Sequence, residues 1–284
     1  MQLRLVLIKL KEMEAIKRIK GWLIDLDGTI YVGNSLIPHA DLFIDTMRKQ
    51  SRIFRFVSNT SRLSRSQIVA RLNSFGIEAH RDEIITAASA AAEMLRSFEG
   101  MKCFFITTPE IEEEFDGIEC SEKNPDYVVI GDIGNGIDYD ILNKAFRFMM
   151  NGAELIALGK SRFQRDTDGM RLGSGSFVAA LEYASGRTAK LVGKPSRQFY
   201  NMAVHNIRVT EGKRWLSADF AMVGDEIIND IKGAQEAGLT GIYVKTGNNN
   251  LEYDASTGIV PDIIISSVAE LIPMLGERVP SDRI

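Results

Sequence analysis

Cysteine and histidine are scarce in this sequence: two cysteines, Cys103 and Cys120, and three histidines, His39, His80 and His205, are spread over 284 residues. The cysteines have neither C-x-x-C spacing nor a histidine cluster beside them, which argues against a zinc site. Two reduced thiols in a cytoplasmic protein are expected instead. Any metal would then rest on oxygen ligands, a donor set that suits magnesium better than zinc. Positive charge is not in excess either. The formal net charge is −4, so there is no electrostatic footprint of a nucleic-acid partner. Long hydrophobic runs are missing: in "MQLRLVLIKLKEMEAIKRIK" the apolar run breaks at Lys9, too early for a signal peptide or a membrane span. That segment is either a short amphipathic helix, or Met13 is the true start and the first twelve residues are not native. Internal repeats, low-complexity stretches and Pro/Gly-rich linkers are also lacking.

What the sequence does have is a series of short apolar runs, each ending in small or polar residues. They are "GWLIDLDGT" (21–29), "RIFRFVSNT" (52–60), "AKLVGKP" (189–195), "FAMVGDE" (220–226), "GIYVKTG" (241–247) and "PDIIISS" (261–267). Each fits a strand buried on both faces of a parallel sheet. Helical periodicity falls between several of them, as in Ile68, Val69 and Leu72 before Gly76, and Ile231, Ala234 and Ala237 before Gly238. The alternation predicts an α/β fold with an open, doubly wound parallel sheet (Rossmann-like), whose ligands bind at the carboxyl ends of the strands. From Asp27 to Ser58, and again from Lys194 to Asp225, is about thirty residues, one βαβ step. Ser58 to Lys194 exceeds such a step by roughly a hundred residues. The surplus predicts a smaller inserted α/β cap at 86–189, leaving 1–85 and 190–284 as a discontinuous core. The cap has strand-like runs of its own at 102–108, 126–132 and 154–159, and helical ones at 86–98, 140–150 and 176–186.

The strand ends carry Asp25, Asp27, Thr29, Ser58, Asn59, Lys194, Asp225 and Asp230. In a strand, residues i and i+2 face the same side, so Asp25 and Asp27 would repel each other without a compensating cation or proton. Carboxylates from two strands can hold a hard cation such as Mg2+. A lysine adds a point charge, and a serine hydroxyl with backbone N–H groups can donate to phosphoryl oxygens. The set suits a phosphate monoester.

"DLDGT", "VSNT", "GKP" and "GDEIINDI", in that order, resemble the four motifs of the haloacid dehalogenase (HAD) superfamily phosphatases. The insertion after the second motif is similar to the large α/β cap of the NagD and 4-nitrophenylphosphatase branch. The stretch 159–186 resembles the subgroup of the phospholysine phosphohistidine inorganic pyrophosphate phosphatase. The resemblance implies Asp25 as the nucleophile that forms an aspartyl-phosphate, and Asp27 as general acid and then base. It implies Ser58, Asn59, Thr60 and Thr29 around the phosphate, and Lys194 stabilising charge on nucleophile and phosphate. Magnesium would be held by the Asp25 and Asp225 carboxylates and the Asp27 carbonyl, with Asp230 in support. An acid at Asp27 favours phosphoryl chemistry over dehalogenation. Glu226, where many relatives carry Arg or another residue, is left out of the site.

Taken singly, these residues have plainer readings: D-x-D-G-T as a strand-end turn, Ser58-Asn59 as a turn or N-cap pair, Lys194 as a surface lysine, Asp230 as a helix-start acid. "GKS" (159–161) lacks the P-loop glycine, having Glu154 there, and "GSGSF" (173–177) lacks a dinucleotide site's third glycine. Met149-Met150 and the two "FRF" segments read as core. In the cap, Arg162, Phe163, Arg165 and Arg171 lie in a polar loop that either faces solvent or recognises the non-phosphate part of the substrate. The expectation is thus a Mg2+-dependent phosphatase of small phosphorylated substrates, with no nucleic-acid or membrane partner and two copies pairing through the cap. The rivals are a phosphotransferase on the same motifs and a non-catalytic phospho-ligand binding protein.

Overall fold

The computed structural model describes residues 2–166, 169–247 and 256–277. It divides into two compact units: Met1–Val57, Val69–Ile84 and Tyr200–Ile284 form the first, Ser58–Ile68 and Ile85–Phe199 the second. Beside the expected cap of 86–189, the second unit spans Ile85–Phe199 and also takes in Ser58–Ile68. Hydrogen bonds draw that segment there: Ser61 Oγ accepts from the Asp132 N–H at 2.8 Å, and Arg65 N–H and Nε donate to Glu114, each at 2.8 Å.

Strands β1 (Gly21–Asp25), β4 (Ile53–Ser58), β5 (Ile84–Thr86), β13 (Phe220–Gly224), β14 (Thr240–Val244) and β15 (Ile263–Ile265) form a six-stranded sheet, ordered β15-β14-β13-β1-β4-β5. The pairings from β15 through β4 are parallel. β1 and β13 are buried at every residue, which is why both read as unbroken apolar runs rather than alternating ones. A small hairpin, β2 (Tyr31–Val32) with β3 (Ser35–Leu36), follows the turn after β1. The N-terminal segment is helical over Gln2–Arg18.

The second unit has its own parallel sheet, β12-β9-β8-β6-β7, built from β6 (Lys102–Ile106), β7 (Glu119–Cys120), β8 (Tyr127–Ile130), β9 (Glu154–Ala157) and β12 (Lys190–Leu191). Phe104, Val128, Ile130 and Leu155 pack there with Phe148 and Met149 of helix Tyr139–Met150, and with Val178 and Leu181 of helix Ser174–Ser185. Three expectations are corrected. The run at 189–195 does not join the core sheet; its two-residue strand β12 pairs with β9. Met150 is exposed, one helical step round from the buried Met149. The polar loop of the cap is an antiparallel hairpin, β10 (Phe163–Asp166) with β11 (Gly169–Leu172).

Among the described residues no helix is long and apolar enough to cross a membrane.

Candidate active site

The order of the first sheet reverses between β1 and β13: β4 and β5 build outward on one side, β14 and β15 on the other. Open α/β sheets bind ligands at such a switch point, beyond the carboxyl ends of the strands. Asp25 closes β1 and Asp225 directly follows β13 there. Asp230 joins them, so that the three buried carboxylates each bring an oxygen within 4.8 Å of the others. Burial of like charges at this distance is costly unless a cation or proton compensates it. The donors are all carboxylate oxygens, which fits a hard divalent cation.

Local backbone chemistry makes the cluster possible. Gly28 has φ +88°, and a Cβ there would overlap the Asp225 carboxylate; a Cβ on Gly247 would do the same. The Thr246 hydroxyl donates to the Gly28 carbonyl at 2.6 Å. Asp230 belongs to a π-helical turn, Ile227–Lys232, a distortion often found at functional sites. The Tyr200 hydroxyl braces this turn, 2.6 Å from the Asn229 carbonyl, and Asp230 Oδ2 accepts from the Glu226 N–H at 3.0 Å. Glu226 itself is exposed and accepts from Asn229.

Asp25 and Asp27 do not share a strand face. β1 ends at Asp25, and the Leu26 carbonyl then collects the N–H groups of Ile30 and Tyr31 at 2.8 and 3.1 Å. Asp25 is buried and Asp27 exposed. Tyr31 lies behind this turn; burial raises its hydroxyl pKa far above the ordinary value, and the charges of Asp27 and Asp25 add to that against the opposing Arg71. Thr29 is fully buried, and its hydroxyl has no hydrogen-bond partner among the described residues.

The second unit gathers another part of the expected set. Residues 58–62 curl through two successive side-chain turns: the Thr60 N–H donates to Ser58 Oγ at 3.1 Å and the Arg62 N–H to Thr60 Oγ1 at 3.4 Å. Asn59 clamps the Lys194 backbone, accepting from its N–H at 2.8 Å and donating to its carbonyl at 3.0 Å. Lys194 is only 2% exposed, far from a surface lysine. Of the four cap residues, Arg171 turns inward, donating to Asp132 Oδ2 at 3.2 Å. Arg162 and Phe163 are exposed, and the side chain of Arg165 lies outside the described residues. Sequence reasoning missed Thr246, Gly247, Tyr200, Arg62 and Asp132. Thr246-Gly247 ends one of the apolar runs and Asp132 ends another, the one signal that could have found them.

A family model described as haloacid dehalogenase-like hydrolase matches residues 22–121, and a second HAD-like hydrolase model matches 191–271. Human haloacid dehalogenase-like hydrolase domain-containing protein 2 is 35% identical over 235 residues, 83% of this chain and 87% of that protein. Human phospholysine phosphohistidine inorganic pyrophosphate phosphatase is 31% identical over 263 residues, 90% of this chain and 94% of that protein. The p-nitrophenyl phosphatase from Archaeoglobus fulgidus superposes with a TM-score of 0.82 at 29% identity, covering 89% of this chain and 98% of that one. NagD from E. coli K-12 superposes at 0.79 and 28% identity, with the same coverage. The chain belongs to the haloacid dehalogenase-like hydrolase family, as a hydrolase of its phosphatase branch.

Proposed function

We propose that the protein is a Mg2+-dependent phosphatase that hydrolyses small phosphomonoesters through an aspartyl-phosphate on Asp25. The observation that carries this reading is the buried triad of Asp25, Asp225 and Asp230 at the switch point of the sheet. Asp25, Asp225 and the Asp27 carbonyl would hold the cation, with Asp230 in support; when bound, it neutralises the acids and draws charge from the phosphoryl oxygens.

Asp25, buried and fixed at the end of β1, attacks phosphorus in line. Asp27 is exposed, as a group must be that protonates the leaving oxygen and then activates the hydrolytic water. Ser58, Asn59, Thr60 and Thr29 contribute to holding the phosphate. Lys194 supplies positive charge to nucleophile and phosphate, its backbone held by Asn59. The relative named for phospholysine, phosphohistidine and inorganic pyrophosphate extends the candidate substrates to P–N bonds and pyrophosphate. The same reading places the protein in the cytoplasm and pairs two copies through the second unit, where Phe163, Met170 and Leu172 are exposed.

The test is phosphate release from 4-nitrophenyl phosphate with and without Mg2+, comparing the wild type with Asp25→Asn. Magnesium-dependent release in the wild type, lost in the variant, is expected. Binding of the substrate with no turnover would overturn the proposal in favour of a phospho-ligand binding protein. Turnover that requires an added acceptor would identify a phosphotransferase.

A further inference from the structure

The second sheet has a switch point of its own. Its order runs outward from β6 to β7 on one side and from β8 through β9 to β12 on the other. Asp132 lies two residues beyond the end of β8, where the same rule for open sheets expects a ligand. Its oxygens are fully engaged: Oδ1 accepts from the Gly134 N–H at 2.9 Å, and Oδ2 meets both Arg171 Nη2 and Arg62 Nε at 3.2 Å. Asp132 therefore orients guanidinium groups and is not a free base.

Two arginines that grip a carboxylate with two nitrogens show what a structural arginine does here. Arg48 binds Glu83 with both Nη groups at 2.8 Å, and Arg65 binds Glu114 through Nε and Nη2 at 2.8 Å. Arg62 does neither. Its Nε contact is off the line a hydrogen bond needs, and its Nη groups have no acceptor among the described residues. The side chain is 40% exposed. A guanidinium held in place with its fork open matches a planar or tetrahedral oxyanion. The curl of residues 58–62 also ties Arg62 to Ser58 through Thr60. Gly134 keeps the space clear: a Cβ there would overlap Arg62 Nη2.

We propose that Arg62, oriented by Asp132, binds a second anionic group of the substrate, a carboxylate or a further phosphate, beside the turn that carries Ser58 and Thr60. This rests on the phosphatase reading and adds selection for doubly anionic substrates. The experiment measures kcat/KM with Mg2+ for two matched pairs: 3-phosphonooxypropanoate against its methyl ester, and pyrophosphate against methyl phosphate. Arg62→Gln should lower the charged-to-uncharged ratio about tenfold in at least one pair, the worth of one charge-assisted contact. The pair affected identifies carboxylate or phosphate. Arg62→Lys should keep part of the ratio, and Gly134→Ala should lower it by displacing the guanidinium, so the test survives poor folding of one variant. Ratios in all three variants equal to those of the wild type would overturn this inference alone. No turnover of these four compounds or of 4-nitrophenyl phosphate would overturn the phosphatase reading and this inference with it.

Discussion

Asp25 and Asp27 are two residues apart in sequence but differ in surroundings, and Gly28 is the residue that lets them differ. Its positive φ turns the chain away from β1, and its missing side chain leaves room for the Asp225 carboxylate. Gly28→Ala combines backbone strain with a direct displacement of Asp225. A shift of about 1 Å in a reacting group costs on the order of 100-fold in rate, so kcat should fall by about that factor. Gly76 is the control: its φ is +78°, but a Cβ there meets nothing within 4 Å. Gly76→Ala should lower thermal stability by about 1 kcal/mol and leave kcat unchanged. Equal losses of kcat in both variants would show that strain, not the clash with Asp225, is responsible. At this scale the acids were legible because short motifs carry them at strand ends. Gly28 was legible only as part of a turn, since nothing in "DLDGT" shows that Asp225, about two hundred residues on, leans against its Cα.

Between elements, the contact whose behaviour is most open to measurement joins helix Ala40–Lys49 to the short turn Arg81–Glu83 before β5. Arg48 binds Glu83 through both Nη groups and also donates to the Glu78 carbonyl. Burial alone would raise the Glu83 carboxyl, but the hydrogen bonds from Arg48 and the His80 N–H outweigh it and leave the group below its ordinary 4.5. A depressed folded pKa means stability that is complete above the unfolded value and lost as pH falls through the folded one. Glu83→Gln should therefore cost about 1 kcal/mol at pH 7, and the gap to the wild type should close on going to pH 3 in urea melts. A gap that stays constant would assign the loss to packing. The π-helical turn at Ile227–Lys232 belongs to this scale too and was not legible. The spacing of Ile231, Ala234 and Ala237 reads as plain α-helix, and the Tyr200 hydroxyl that braces the turn comes from a different helix. A two-residue strand such as β12 has no period to read, so its place beside β9 rather than in the core sheet could not be foreseen.

For the molecule as a whole, the legible part is the part that burial writes into sequence. Strands covered on both faces must be mostly apolar, so β1, β13 and β14 announced themselves; β4 did so despite its buried Arg55 and β15 despite its exposed Ile264, and the long gap between Ser58 and Lys194 announced a second sheet. The hydrogen bonds that Ser61 accepts from Asp132 and that Arg65 donates to Glu114, which draw residues 58–68 into the second unit, leave no such mark. The acid triad gives the whole fold a dependence on cations that follows from the same burial. Three buried carboxylates within 4.8 Å of one another repel each other, and a cation that binds the folded form alone relieves that repulsion and favours folding. At a hundred times its dissociation constant, such a ligand adds about 2.7 kcal/mol, which at a few degrees per kcal/mol is a rise of about 5 to 10 °C in Tm. Mg2+ should produce that rise, and NaCl at equal ionic strength should not, because screening alone acts weakly on buried charges. Asp225→Asn removes one of the repelling charges and one of the ligands together. The variant should melt no lower than the wild type in EDTA and clearly lower than it in Mg2+, so that the two melting curves exchange order. A variant that melts lower by the same margin in both buffers would mean that Asp225 supports the fold without regard to a cation, and the triad would lose its standing as a metal site.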